Sequence, residues 1–283
     1  MRTITTINEL RDVLRAERRE GRTVGFVPTM GFLHEGHISL VNRAKEICDV
    51  VVMSIFVNPL QFGPNEDFDR YPRDIPRDSK LAEEAGVSYL FTPGVEEMYP
   101  SKMLTNVSVA EVTEPLCGAS RPGHFDGVAT VVTKLFNIVQ PHYAFFGQKD
   151  AQQLAVIEQM VYDLSMPVTI VPCPTLREAD GLALSSRNVY LSAEEREQAL
   201  ALSRSLRQAQ AMVEAGERDV ATIRDAVASE ISQQPLAVID YVELLQYPRL
   251  GYTARLAEGD RVLLALAVKF GKTRLIDNII MNV

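Results

Sequence analysis

Apolar residues in the first 175 positions fall into short runs separated by amphipathic stretches. Thr23-Val24-Gly25-Phe26-Val27 is a β-branched apolar run that Pro28-Thr29-Met30-Gly31 breaks, so it predicts a strand. Residues 50–57 are almost continuously apolar, which fits a strand buried on both faces of a parallel sheet. Further strands are predicted at 88–91, 142–146 and 168–171. Helices are predicted at 7–20, from Gly36 to Ile47, and at 75–86, 126–140 and 149–163. Thr6 with Glu9 has the spacing of a capping box at the start of the first helix. Strand and helix in alternation predict an α/β fold with a doubly wound parallel sheet.

The pattern changes after about residue 175. Ser192 with Glu195 forms a capping box before a long helix that reaches Glu214 and stops at Gly216. A second helix is predicted at 220–232, and strands at 238–245 and 262–268. This order predicts a smaller α+β unit over 176–283, following a larger unit over 1–175.

Composition narrows the function. The 283 residues are 46% hydrophobic and 23% charged, with a formal net charge of −8. Such an acidic chain is poorly suited to nucleic acid or to anionic membrane, and an anionic substrate would need a local basic pocket. No stretch reaches the roughly 18 apolar residues of a membrane span, and no apolar segment follows the first basic residues as in a secretory signal. The reading is a soluble, cytoplasmic protein. Cys48, Cys117 and Cys173 are far apart, without a CxxC pair, and read as free thiols.

Candidate chemistry gathers where predicted strands end. His34-Glu35-Gly36-His37 would place two imidazoles on one face of a helix's first turn, where free N–H groups suit phosphate. They could donate hydrogen bonds to charge developing on an α-phosphate. Zinc binding is the competing chemistry, but the histidines are one residue too close for H-E-x-x-H. Two incidental histidines are the plainer alternative. Phe146-Gly147-Gln148-Lys149-Asp150 offers backbone access, a cation and a ribose acceptor, or an ordinary turn. Leu184-Ser185-Ser186-Arg187-Asn188 could wrap phosphate oxygens, or be a solvated loop. Arg121-Pro122-Gly123-His124-Phe125-Asp126-Gly127 could hold an anion through Arg121, or be a structural turn. Asn58 and Gln61, in Phe56-Val57-Asn58-Pro59-Leu60-Gln61-Phe62, suit recognition of hydroxyl and carboxylate groups, or satisfy the backbone of their own loop. The sequence contains no P-loop, no GxGxxG after a strand and no GxSxG elbow.

Taken together and in chain order, these segments, with Tyr71-Pro72-Arg73, resemble the pantothenate synthetase family of the HxGH nucleotidyltransferases. The likeness spans residues 23 to about 190. A lone HxGH marks the whole superfamily, whereas the ordered set is specific. The resemblance implies a Rossmann-like domain with a C-terminal lid, and ATP with Mg²⁺, pantoate and β-alanine as substrates. A pantoyl-adenylate would be the intermediate, AMP and pyrophosphate would be released, and the enzyme would be a cytoplasmic homodimer. It further implies that Met30, Gly31, Phe32, Leu33, His34, Glu35, Gly36 and His37 line the nucleotide and phosphate site. His34 and His37 would stabilise the transition state, with His37 as proton donor. Gly147, Gln148 and Asp150 would take ribose and adenine, Lys149 would contact phosphate, and Leu176 would touch adenine. Leu184, Ser185, Ser186 and Arg187 would close over the triphosphate. Gln61 and Gln153 would hold pantoate, Gln61 also lying near β-alanine, with Asn58 on the substrate side and Arg121 on the dimer or substrate side. Asp78 would lie with the magnesium.

Three rivals remain at this point. One is a relative that leaves the nucleotide on its product. Another is a catalytically idle regulatory nucleotide binder, and the third is a fragment of a class I aminoacyl-tRNA synthetase. Bottom-up reading reaches only a small carboxylic acid activated by ATP.

Overall fold

A computed structural model of the chain describes residues 1–63, 66 and 68–283. Its first six strands are β1 (Arg2–Ile4), β2 (Val24–Thr29), β3 (Val50–Ile55), β4 (Tyr89–Phe91), β5 (Tyr143–Gly147) and β6 (Thr169–Cys173). All pair in parallel, in the order β1-β4-β3-β2-β5-β6. The apolar runs are continuous because both faces of the central strands are covered. Val24, Phe26, Val50 and Val52 join one buried cluster, while the alternate positions Val27, Val51, Met53 and Ile55 join another. Side chains alternate across a strand, so a two-sided core needs this unbroken pattern.

Helices α1 (Ile7–Arg19), α2 (Glu35–Ile47) and α3 (Ile75–Ala85) follow β1, β2 and β3. Next come the short turns α4 (Val95–Met98) and α5 (Cys117–Ser120), then α6 (His124–Val139) and α7 (Ala151–Asp163). Helices α2 and α3 cover one face of the sheet, and α1, α6 and α7 cover the other. The predicted cap of α1 is absent. Thr6 makes no side-chain cap bond, Glu9 is drawn to Arg2 at 2.7 Å, and the Ile7 amide is taken by Glu97 at 2.8 Å.

Helices α8 (Ala193–Glu214) and α9 (Val220–Ser232) lead into β7 (Ala237–Gln246), β8 (Arg261–Phe270) and β9 (Thr273–Asn282), an antiparallel sheet in that order. The Ser192–Glu195 capping box of α8 is formed. In β8, Val262, Leu264, Leu266, Val268 and Phe270 pack on α8 and α9. The intervening Leu263 and Ala265 enter the cluster built by α6 and α7. Strands β1 and β9 were not foreseen. The first is three residues long, and the second carries a polar pair, Asp277-Asn278, in mid-strand.

Candidate active site

The parallel sheet reverses its winding at β2, which has β3 on one side and β5 on the other. Ligands in open α/β sheets bind beyond the strand ends at such a switch point. The segments leaving β2 and β5 there are Met30–Leu33, which leads to the His34 N-cap of α2, and Gly147–Asp150.

His34 caps α2. Its Nδ1 accepts from the Gly36 amide at 3.1 Å, while the His34 amide donates to Nδ1 of His37 at 3.2 Å. A nitrogen that accepts carries no proton, so both neutral rings hold their proton on Nε2. The rings lie 4.1 Å apart between centroids. Gly36 is required by this packing, since a Cβ there would sit 2.8 Å from Cε1 of His34. Burial, then the positive charge of Lys149, lowers the His34 pKa to about 4. Burial, then His34 and Lys149, lowers that of His37 to about 3. At neutral pH the pair therefore presents two uncharged N–H donors with a cation nearby.

The turn before the pair is fixed by Asp78. Gly31 and Phe32 both have positive φ, +90° and 51°, a conformation costly for phenylalanine. Fully buried Asp78, in the first turn of α3, accepts from the amides of Phe32 at 2.6 Å and Leu33 at 2.8 Å. The Arg77 guanidinium stacks over the Phe32 ring, 5.2 Å from its centroid. Asp78 thus anchors this loop, each of its carboxylate oxygens accepting a backbone amide.

Asn58 is equally committed. Its Nδ2 donates to Oε1 of Gln61 and to the Gly127 carbonyl, and its Oδ1 accepts from the Leu60 amide and the Tyr99 hydroxyl. Both amide hydrogens are used, so Asn58 orients Gln61 instead of facing a substrate. The Nε2 of Gln61 in turn points at Sδ of Met30, 3.0 Å away. Arg121 grips Glu66 with two nitrogens, at 2.7 and 2.5 Å, and donates a third bond to Nε2 of His124. His124 donates through Nδ1 to the Gln61 carbonyl at 2.8 Å. Burial, then Arg121, lowers the His124 pKa, which keeps this tautomer neutral. Arg121 fastens the loop around Gln61 in this arrangement.

A cleft of about 1220 Å³ opens between the two sheets. Arg121, Lys149, Asp150, Gln153, Ser185 and Arg187 line it together with residues of the β8–β9 hairpin. It brings basic groups together on an acidic chain. His34, His37, Gln61, Leu176, Leu184 and Ser186 are not among its lining residues. Ser185 accepts from the Arg187 amide at 3.3 Å and starts the short helical turn Ser186–Tyr190.

The family model for pantoate-beta-alanine ligase matches residues 2–280. The chain belongs to the pantoate–β-alanine ligase family. Among its relatives, a pantothenate synthetase of Acetivibrio thermocellus is 59% identical over 283 residues, covering 100% of both chains. A pantothenate synthetase of Bacillus cereus is 55% identical with the same coverage. The crystal structure of pantothenate synthetase from Thermus thermophilus superposes with a TM-score of 0.91 at 50% identity, covering 99% of each chain. A pantoate-beta-alanine ligase from Francisella tularensis, complexed with β-γ ATP and β-alanine, superposes with a TM-score of 0.79 at 36% identity. That match covers 99% of this chain and 97% of the other.

In this ligase, sequence reading found the segments but missed the residues that hold them. Asp277 and Asn278 were not foreseen because their strand was not. Glu66 and His124 had no assigned role, although His124 sat within a motif singled out for Arg121. The one available signal for Asp277 and Asn278 was a polar pair interrupting the apolar run at the C-terminus.

Proposed function

We propose that the cleft and the histidine pair condense pantoate with β-alanine at the expense of ATP. The pantoate carboxylate attacks the α-phosphorus, and pyrophosphate leaves. The amine of β-alanine then attacks the carbonyl of the pantoyl-adenylate, and AMP leaves. The observation that carries this reading is the pair of neutral imidazoles with Nδ1 occupied by backbone amides and Nε2–H left to donate, beside Lys149. Donors already aimed at the position where charge develops stabilise the transition state without reorganising.

In this reading His34, His37, Lys149 and Arg187 carry the phosphoryl chemistry. Met30 to His37, Gly147 to Asp150, Leu176 and the segment Leu184 to Arg187 embrace ATP. Gln61 and Gln153 hold pantoate, and Gln61 also lies near β-alanine. Magnesium would arrive on the ATP phosphates. Among the described residues no group of three or more His, Cys, Asp or Glu side chains could hold an ion alone. Such ions commonly bind through one or two carboxylates plus substrate phosphates. There it would neutralise charge on the leaving pyrophosphate. The reading includes a division near residue 175, with the second unit as lid, a homodimer, and a cytoplasmic location. No helix among the described residues is long and apolar enough to cross a membrane.

Pyrophosphate release tests the reaction. ATP, Mg²⁺ and pantoate should give one burst per site, and β-alanine should then sustain turnover with AMP and pantothenate as products. Folded, ATP-binding protein that releases no pantoate-dependent pyrophosphate would overturn the reading.

A further inference from the structure

Strand β9 contains two adjacent polar side chains that are almost completely buried: Asp277, 2% exposed, and Asn278, 7% exposed. Buried polar groups require partners, and these two find theirs in different loops. Neighbouring strand residues point to opposite faces. Asn278 is in register with Ala265, which faces the α6–α7 core. Its Nδ2 donates both hydrogens to main-chain carbonyls of the loop after β5, Gln148 at 3.0 Å and Lys149 at 2.8 Å. Asp277 is in register with Leu266, which faces α8 and α9. Its carboxylate takes both terminal nitrogens of Arg177, at 2.7 and 2.9 Å. One Asp277 oxygen also accepts the Asn278 amide at 2.8 Å, which joins the two halves.

Arg177 extends the hold. It donates to the Gly181 carbonyl at 3.2 Å, and its backbone bridges to Ala183, two residues before Ser185. One dipeptide therefore fastens the loop bearing Lys149 and the loop bearing Ser185 and Arg187.

We propose that Asp277 and Asn278 are positioning residues for the nucleotide half of the reaction. They fix the loop of Lys149 relative to the segment of Ser185 and Arg187 and act through those loops. The inference rests on the function proposed above. Because the loops they hold are assigned to ATP, while Gln61 is held by Asn58, His124 and Arg121 and Gln153 stands in the packed helix α7, their loss should fall on ATP and spare pantoate.

The test compares Asn278→Ala, the equally sized Asn278→Asp, and Asp277→Asn with the unaltered protein. The Asp variant keeps the shape of Asn278 but cannot donate, so it serves if the Ala variant fails to fold. Displacing reacting groups by an ångström costs on the order of tenfold to a hundredfold in rate. The expected result is an ATP KM raised about tenfold and kcat lowered about tenfold, with the pantoate KM within about twofold. Unchanged ATP constants in folded variants, or equal losses for ATP and pantoate, would overturn the inference. Should the unaltered protein release no pantoate-dependent pyrophosphate, the proposed function fails, and calorimetric titration with ATP still decides the positioning role. Affinity weakened about tenfold in the variants supports it, and equal affinity overturns it.

Discussion

His34 joins its structural task to the chemical one proposed for it, and the two are separable by pH. Its ring caps α2 only while Nδ1 is unprotonated. The folded pKa values of His34 and His37, about 4 and about 3, lie below the ordinary 6.5. On acidification the unfolded chain takes up these protons first, which favours unfolding. Stability from the pair is complete above about pH 6.5 and is lost as pH falls toward 4. Asparagine also caps helices but does not titrate. His34→Asn should therefore lose less stability than the unaltered protein between pH 6.5 and 4.5, while its adenylation is severely impaired. Equal slopes of melting temperature against pH would refute the linkage. Asp78 makes a different demand. Removing its carboxylate strands the buried Leu33 amide, worth ~1–3 kcal/mol, and the partly buried Phe32 amide. Asp78→Ala should thus lose stability and adenylation rate together without changing the magnesium dependence. A shifted magnesium requirement with intact stability would return Asp78 to the metal.

At the scale of elements, what the sequence made legible depended on whether local and tertiary demands agreed. The run at 50–57 read as a doubly buried strand because every residue of its strand, Val50–Ile55, is buried. The Ser192 cap read correctly because its partner Glu195 lies three residues away, within the same helix. Ser192→Ala should cost ~1 kcal/mol, measurable in urea as a lower midpoint at constant slope. No midpoint shift would mean that α8 is held by its buried face alone. Thr6 and Glu9 had the same spacing, yet Arg2 and Glu97, which are not part of α1, supply the bonds instead. Strand β9 was illegible because Asp277 and Asn278 are poor strand formers, and their placement answers to loops 100 and 130 residues away in sequence. The same reasoning covers Asn58. Its residue type suggested recognition, but only the approach of Gly127 and Tyr99 shows that its capacity is spent.

For the whole molecule, the question is whether the two sheets stand or fall together. The change of pattern near residue 175 suggests two units, but hydrophobic burial crosses it. Leu245, Leu263 and Ala265 share one cluster with Leu154, Ile157 and Leu135. The Tyr247 hydroxyl also reaches Glu158 at 3.3 Å. The second sheet is apolar on both faces, so it could not expose one face to water without a large penalty. Unfolding should accordingly be a single transition, with far-ultraviolet circular dichroism and tyrosine fluorescence coinciding. The chain contains no tryptophan to complicate the optical signal. Leu263 is completely buried, and a Leu→Ala change at such a position costs ~2–5 kcal/mol. Leu263→Ala should lower both signals in step. If instead the transition split, with helical signal lost before or after the tyrosine signal, the shared core would not be the element coupling the sheets. The bonds from Asp277 and Asn278 would then remain as the principal link between the β8–β9 hairpin and the loops of Arg177 and Lys149.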